Sequence, residues 1–358
     1  IEVVSGMISR STPVLIVGGG PVGLALAAEL GFQGVACMLV EQGDGVVKTP
    51  KMNEVNTRTM EFCRRWGVAG QVLDTPFPLD WPKDVVFVTS MSGFELGRVP
   101  RPPRKIRASE HSPETTQTCS QHWFDPILQK FARSFPNVAL RYGKRLESFV
   151  ETPSGVTATI VDRDSGAAET IEASYLVGCD GAGSLVREKL GITMTGNAVL
   201  TYTTNVIFKS RDLAKKQTIK HGYRYIFVGP EGTFATIVAI DGYDNYRFSL
   251  VGSGNRANLS DEDLRNEIKR AIAGECEIEL LSTMPWTRRE LVADKYGTKR
   301  VFLVGDSAHQ LSPTGAFGMN TKGLLFGEDD MGFWWALSLC VLGSACVYFV
   351  LRRLRIIK

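Results

Sequence analysis

Histidine is scarce in this 358-residue chain. The four present, His111, His122, His221 and His309, are too scattered to offer a metal-ligand spacing. Cysteine lacks a pattern. Seven residues, at 37, 63, 119, 179, 276, 340 and 346, form no CxxC pair and are odd in number. This argues against a disulfide scaffold and a zinc module, and fits a reducing compartment. Charge of one sign is lacking too: 41 Lys and Arg stand against 38 Asp and Glu, a net charge of +3. That is too mild to indicate a nucleic-acid partner. There is no Gly-x-Ser-x-Gly elbow for a nucleophilic serine, no internal repeat and no low-complexity stretch. No basic stretch followed by an apolar run and a cleavage site precedes the first expected strand, so no secretory signal is read. The chain starts at Ile1, which reads as a processed or incomplete start, with Met7 a candidate natural one.

What remains is ordinary globular material. Apolar residues make up 44% and charged residues 22%, enough to build a packed core. At roughly 150 residues per domain, the length suggests two domains or one large α/β unit. Hydrophobic patterning predicts a β-α-β start over 13–42, a strand-rich stretch over 199–252, a helix over 260–274 and a last strand over 300–305. Within 223–252, YRYIFVG, TFATIVAI and NYRFSLVG are separated by Gly and Asp turns and read as antiparallel strands. Ser260 is a good N-cap for the charged helix that follows it.

Three stretches carry chemistry. The first is VLIVGGGPVGLALAAEL from Val14, in which Gly18, Gly20 and Gly23 give GxGxxG after an apolar strand and before an Ala-rich helix. The first glycine permits a tight turn, the second lets backbone approach a pyrophosphate, and the third lets helix and strand pack closely. Pro21 and Val22 open the helix, whose unpaired N–H groups and dipole favour phosphate. A second strand, 36–40, ends at Glu41, followed by Gln42. An acid there can accept both ribose hydroxyls of a dinucleotide. The motif alone does not choose between NAD and FAD, and a Gly-rich turn that binds nothing is the bland alternative. The second stretch, YLVGCDGAGSLVR, delivers Asp180 and Gly181 from a strand into a turn. The third, RVFLVGDSAH, delivers Gly305 and Asp306 in the same way, and LSPTGAFGMN follows it.

Taken together, Gly18–Gly23, Cys179-Asp180-Gly181 and Gly305-Asp306 give the chain a resemblance to the FAD-dependent aromatic hydroxylases. These are single-component flavoprotein monooxygenases built like para-hydroxybenzoate hydroxylase. GDSAHQLSPTGAFGMN and NEVNTRTMEFCRRWG are most similar to the phenol and polyketide hydroxylase branch. The resemblance is read over 12–321. It implies an α/β fold: a Rossmann-like FAD-binding domain with an inserted mixed or antiparallel-sheet substrate domain. The segments expected are 12–198 and 276–325 for the FAD-binding domain and 199–275 for the substrate domain. It implies that Gly18, Gly20, Pro21, Val22 and Gly23 face the FAD pyrophosphate and that Glu41 and Gln42 lie at the adenosine ribose. Arg58 and Gln121 match family residues beside the cofactor. Asp180 and Gly181 would touch cofactor and serve the nicotinamide donor, and Gly305 and Asp306 would hold the ribityl chain. Pro313, Gly318, Met319 and Asn320 would line the flavin ring. No catalytic side chain is singled out. NAD(P)H would be co-substrate, and a phenolic substrate would be hydroxylated with O2 through a flavin C4a-hydroperoxide. Tyr202, Tyr223, Tyr225, Arg224 and Arg247 fall in the expected substrate sheet, but the sequence leaves open which of them face inward.

The C-terminus departs from this pattern. Lys322 stands where the family continues with glycine. Residues 331–351, MGFWWALSLCVLGSACVYFVL, contain no charge. As a helix they would span about 30 Å, enough for a bilayer core. Arg352, Arg353 and Arg355 follow. The expectation is an atypical apolar helix offering membrane contact, or a translated intron or shifted frame that truncates the family fold. Location is accordingly read as cytoplasmic, or membrane-anchored if the segment is genuine. The rival functions are a flavin oxidase or reductase and an inactive, membrane-tethered FAD-binding remnant.

Overall fold

The computed structural model describes residues 9–101, 110–252 and 259–311. Elements are numbered in chain order. The first sheet is built on β1 (Ser9–Val17), followed by helix α1 (Pro21–Phe32) and β2 (Cys37–Glu41). Its other strands are β7 (Val138–Tyr142), β8 (Lys144–Glu151), β9 (Val156–Asp162), β10 (Ala168–Gly178) and β16 (Val301–Leu303). The order is β7-β2-β1-β10-β9-β8, with β16 beside the C-terminal part of β10. The β7, β2, β1, β10 and β16 pairings are parallel, whereas β8 and β9 form an antiparallel hairpin. Val14, Leu15 and Ile16 are fully buried, as a continuous apolar run must be in a strand covered on both faces.

One face is covered by α1, α2 (Thr57–Arg65), α3 (Ala69–Leu73) and α4 (Gln121–Arg133). The small residues of α1 let it sink between sheet and neighbouring helices, so every residue from Gly23 to Gly31 is buried. This includes Glu29, whose carboxylate pairs with Arg65 and accepts the Trp66 indole N–H at 2.7 Å. A buried carboxylate is tolerated only with such partners, and here they tie α1 to the end of α2.

The second sheet has eight strands. They are β4 (Val85–Val88), β5 (Glu95–Val99), β11 (Met194–Lys209), β12 (Arg224–Gly229), β13 (Gly232–Ala239), β14 (Asn245–Gly252), β15 (Glu279–Ala293) and β17 (His309–Gln310). The order is β17-β15-β11-β14-β13-β12-β4-β5, and only the β12–β4 pairing is parallel. A small pair, β3 (Glu54–Val55) with β6 (Gln117–Thr118), lies apart. The sheet therefore draws strands from before 199 and after 275 as well as from between them.

On one face of this sheet α6 (Leu213–Lys216) and α7 (Asp261–Ile272) bury Leu213, Leu264, Ile268, Ala271 and Ile272 against Val86, Val206, Phe227 and Phe248. The N-terminus of α7 is fixed by a reciprocal capping box. The Asp263 N–H donates to Ser260 Oγ at 3.2 Å, and the Ser260 N–H donates to Asp263 Oδ2 at 2.9 Å. Ser260→Ala removes one half of it and should lower unfolding free energy by about 1 kcal/mol. An unchanged midpoint in urea denaturation would show that the cap contributes nothing.

Strand register settles the sidedness that the sequence left open. Arg224 lies opposite Val238, Val238 opposite Arg247, Arg247 opposite Ile207, and Ile207 opposite Ser282. Directly opposed residues share a face, so this row lies on the side away from α7. Tyr225 belongs to the α7 side, where its hydroxyl accepts the Gly222 N–H at 2.8 Å. Tyr202 alternates onto the same side as Val206. Tyr223, just ahead of β12, joins Val238 instead, packed edge-on against Phe77 with ring centroids 6.0 Å apart.

The side bearing Arg224, Val238 and Arg247 faces the first sheet's domain. Trp123 of α4 packs on the Phe77–Tyr223–Val238 cluster. Thr49 Oγ1 donates to Ser282 Oγ at 3.3 Å, and Arg247 donates to the Lys51 carbonyl at 3.4 Å. The two sheets thus meet across these contacts, with Arg224 and Arg247 on the second sheet's contacting side. Among the described residues no helix is long and apolar enough to cross a membrane. The apolar segment 331–351 lies outside the described residues.

Candidate functional site

The three sequence motifs converge. Val17 is in register with Gly178, and Gly178 with Leu303, so Gly18, Cys179 and Val304 leave adjacent strand ends side by side. The Cys179 N–H donates to the Val17 carbonyl at 2.7 Å, and the Val304 N–H to the Gly178 carbonyl at 2.9 Å. From β1 the chain runs through α1 to β2 on one side, while β10 flanks β1 on the other. This is a topological switch point, and the crevice beyond the carboxyl ends of the strands there is where open α/β sheets bind ligands.

Each motif glycine has a distinct reason. Gly18 has φ +108°, and a Cβ on it would lie 2.3 Å from the Cys179 carbonyl oxygen. A Cβ on Gly23 would lie 2.0 Å from the Gly18 carbonyl oxygen. Gly20 meets nothing within 4 Å, so its side is open to a bound group. Gly20 is the N-cap of α1, Pro21 follows it, and no side chain caps this helix end. The first-turn N–H groups therefore face the crevice as an anion site.

Glu41 closes the rim. Its Oε2 accepts the Gly19 N–H at 2.6 Å and its Oε1 the Gly43 N–H at 2.7 Å. The backbone thus fixes the carboxylate beside the loop, and each oxygen retains a lone pair for a ribose hydroxyl. Gln42 is exposed beside it.

The second motif is turned partly inward. Asp180 accepts from Ser184 Oγ at 2.6 Å and from the Val186 N–H at 3.1 Å, holding the start of α5 (Leu185–Lys189). Arg187 of that helix donates to the Ser307 carbonyl and to the Ala182 carbonyl, both at 2.9 Å. Ser307, fully buried, donates through Oγ to the Gly178 carbonyl at 2.7 Å and accepts the Val304 N–H at 2.9 Å. These residues lock the Asp180-Gly181 loop to the Gly305-Asp306 turn. A Cβ on Gly305 would lie 3.1 Å from Val22, so the third motif also touches the first. Asp306 is exposed, and His309 is buried in β17.

Two expected residues sit on the helices. Arg58 is in the first turn of α2, ion-paired to Glu61 at 2.5 Å and lying over the Phe62 ring at 5.1 Å. That guanidinium holds the Glu61 carboxyl below its ordinary range. Gln121 opens α4. Its Oε1 accepts the Lys51 N–H at 2.9 Å, and its Nε2 donates to Asp125 Oδ2 at 3.1 Å. Asp125 is 2% exposed, and burial pushes its carboxyl up to about 7. Beside Gln121, the His122 ring packs tilted against Trp123 with centroids 4.5 Å apart, and burial lowers its imidazole. Tyr142 feels both the Glu41 and Asp125 carboxylates. Its phenol is raised first by burial and then by those two charges, against the pull of Arg133. Pro313, Gly318, Met319 and Asn320 lie outside the described residues. Among the described residues no group of His, Cys, Asp and Glu could hold a metal.

These features fit a dinucleotide with a flat ring system: backbone donors for a pyrophosphate, an acid for a ribose, open space at Gly20, and a second sheet over the far end. The family model described as "FAD binding domain" matches residues 11–345. The chain belongs to the FAD-binding domain family. The match runs past Thr321, where the sequence reading had ended the likeness.

Relatives within this FAD-binding family include the tetracenomycin B2 monooxygenase-dioxygenase of Streptomyces olivaceus, 33% identical over 355 residues, covering 93% of this chain and 64% of that protein. The 2,4-dichlorophenol 6-monooxygenase of Delftia acidovorans is 28% identical over 354 residues, covering 93% and 58%. Among solved structures, the rebeccamycin biosynthetic enzyme RebC with reduced flavin superposes with a TM-score of 0.81 at 34% identity, covering 95% of this chain and 62% of that one. Aklavinone-11 hydroxylase in complex with FAD and aklavinone gives 0.79 at 30% identity, covering 87% and 60%. The chain thus spans about three-fifths of the length of the proteins it resembles.

Residues that the sequence reading missed are Ser307, Arg187, Asp125 and the Lys51 backbone. Asp125 had a signal. Gln121, Phe124, Asp125, Leu128 and Ala132 are spaced as one buried helix stripe, with an acid in the middle of it.

Proposed function

We infer that this chain holds FAD at the switch-point crevice and forms the flavin and substrate part of a monooxygenase that hydroxylates a phenolic or other aromatic compound with NAD(P)H and O2. The observation that carries this reading is the convergence of the Gly18–Gly23, Asp180-Gly181 and Gly305-Asp306 loops on one crevice. The relatives' names, tetracenomycin, aklavinone and dichlorophenol oxygenases among them, support an aromatic substrate. Bound flavin supplies the electron transfer from nicotinamide and the activation of O2 that no side chain can.

The protein's part is to bind, orient and exclude water. The Gly18–Gly23 backbone and the α1 N-terminus take the pyrophosphate, Glu41 the adenosine ribose, and Asp306 the ribityl chain. Gln121 and Arg58 approach from the helical side. Asp180, engaged by Ser184 and Val186, acts by setting the height of its loop. Pro313, Gly318, Met319 and Asn320 are the proposed ring lining. Ile207, Val238, Phe77 and Trp123 give the substrate wall an apolar surface, which shields the reacting atoms from water.

The net reaction consumes one NAD(P)H, one O2 and one proton and yields one hydroxylated ring and one water. Reconstitution of the full chain with FAD, followed by nicotinamide oxidation with and without phenols under 18O2, tests it. Phenol-stimulated consumption with one labelled oxygen in the product is expected. Nicotinamide oxidation that forms only hydrogen peroxide, or none at all, overturns the assignment in favour of an oxidase, a reductase or a binding remnant.

A further inference from the structure

Gln310 lies on the shortest strand of the second sheet and reaches a loop of the first domain. β17 pairs with β15, with Gln310 opposite Leu291 and His309 opposite Val292. Only residues 304–308 separate it from β16, which belongs to the first sheet. The chain therefore changes sheets here, across the Gly305-Asp306 turn. Gln310 is 8% exposed, and its Nε2 donates to the Ala182 carbonyl at 3.0 Å. A carbonyl only accepts, so the amide presents its nitrogen. Ala182 belongs to the turn that follows Asp180 and Gly181. The same carbonyl accepts Arg187 Nη2 at 2.9 Å, and Arg187 Nη1 donates to the Ser307 carbonyl at 2.9 Å. Arg187 and Ser307 join two loops of the first domain to each other. Gln310 differs from them, because it joins the second sheet to those loops.

A buried amide costs free energy unless it is hydrogen-bonded, and an apolar side chain on so short a strand would carry no such cost. A two-residue ladder is also a weak hold by itself. What the amide adds is a fixed point at one end of β15. Toward the other end of that strand Ser282 Oγ accepts Thr49 Oγ1 at 3.3 Å. Ser282 and Leu291 stand roughly 30 Å apart along the strand. β15 is thus tied to the first domain twice. One tie is at Thr49, close to the Lys51 peptide that holds Gln121, and the other is at Ala182, beside Asp180-Gly181. Between the ties the β11–β15 register shifts at Asn197 to Thr201. Such a bulge bends its strand, so the ladder alone does not set where the far end lies.

Resting on the monooxygenase reading above, we propose that Gln310 is a positioning residue that latches the second sheet to the Asp180-Gly181 loop and so fixes the spacing between the substrate-bearing sheet and the cofactor crevice. Its neutral amide has no proton to exchange near pH 7, so its part is mechanical.

Hydrogen–deuterium exchange of the full chain, without FAD and with it, tests the latch. Gln310→Leu keeps the size of the side chain and leaves the Ala182 carbonyl with Arg187, so the fold should survive. Asp180 and Ser184 hold the Val186 and Arg187 amides, and the Ala293 amide donates to the Ala308 carbonyl. All three should exchange about fivefold faster in the variant, the worth of one hydrogen bond. They should speed up together although they belong to different domains. In the FAD-loaded variant, iodide should quench flavin fluorescence more strongly than in the parent, because the sheet no longer keeps solvent from the crevice. Gln310→Glu, whose carboxylate repels the carbonyl, should exceed Gln310→Leu in both readings. Unchanged exchange at Val186 and Arg187 in Gln310→Leu overturns the proposal. Faster exchange with quenching equal to the parent's also overturns it, since the contact would then be structural alone. Neither reading needs turnover. A protein that hydroxylates nothing yet shows both effects loses only the monooxygenase assignment, and one that inserts oxygen but shows neither effect loses only the latch.

Discussion

Gly20→Leu should leave the fold standing and empty it of flavin, while Gly23→Ala, a much smaller change three residues away, should damage the fold itself. The difference comes from what each added atom meets. A Cβ at Gly23 would stand 2.0 Å from the Gly18 carbonyl oxygen, and one at Gly18 would stand 2.3 Å from the Cys179 carbonyl oxygen. Both obstacles are backbone, fixed by the β1–β10 pairing, so strand and helix must part to admit a methyl group. Overpacking of this kind costs about 3 kcal/mol, a large share of the roughly 5–15 kcal/mol that holds a domain together. Gly18→Ala adds the strain of a side chain at φ +108°. At Gly20 the side is open, with nothing within 4 Å. A leucine there, a poor N-cap residue, costs the apoprotein about 1 kcal/mol or less, yet fills the space through which a pyrophosphate reaches the α1 N–H groups. Loss of those contacts should weaken FAD binding about 100-fold or more. Chemical denaturation of the apoproteins and fluorescence titration with FAD separate the two effects. Full flavin affinity in Gly20→Leu, or an unshifted Gly23→Ala midpoint, would contradict the roles given to these residues.

That contrast also shows how the sequence could be read. Each of the three motifs sits at the end of a short apolar strand, so period, turn and following helix are all written within about a dozen residues. Local information was enough to pair Gly18–Gly23 with Glu41 and to expect Asp180 and Asp306 at strand ends. The parallel order that brings those ends together is non-local, and the resemblance supplied it. The substrate sheet was legible as strands but not as a surface. Alternation says that Tyr225 and Arg224 point to opposite sides, not which side meets the first domain. That is decided by α7 taking one face and by Phe77, Trp123 and Lys51, far away in sequence, taking the other. β4 and β5, a short hairpin-like pair more than 120 residues ahead of β12, the strand that β4 joins, carried no sign that they belonged to that sheet. Asp180 is a further case. From sequence it is an acid in a turn beside glycine, and nothing local distinguishes a group reaching outward to a ligand from one whose two oxygens are taken up by Ser184 and Val186.

Asp125→Asn should make the protein more stable at pH 8 than the parent, and the advantage should fade in acid. The Asp125 carboxyl is 2% exposed, accepts one hydrogen bond, from Gln121, and has an Oδ1 without a partner. Burial raises it from 3.8 to about 7, because no opposite charge compensates the lost hydration. Below pH about 4 both native and unfolded chains hold the proton, and the group contributes no pH dependence. As pH rises from about 4 to about 7 the unfolded chain releases its proton while the native chain retains it, so unfolding grows steadily more favourable. Above about 7 the native carboxyl ionises as well and the loss levels off. A shift of this size corresponds to at most about 4 kcal/mol, and local relaxation should leave about 2 kcal/mol or more to be measured. Asparagine keeps an acceptor for Gln121 and has no proton to lose. The difference in unfolding free energy between parent and variant should therefore slope between pH 4.5 and 8, with other titrating groups cancelling. Urea denaturation across that range is the measurement, and parallel curves would mean that Asp125 is hydrated or paired in solution. The same carboxyl fixes the amide of Gln121. Asp125→Ala, which removes the acceptor, should therefore weaken FAD binding where Asp125→Asn does not, separating the residue's role in orienting Gln121 from its effect on stability.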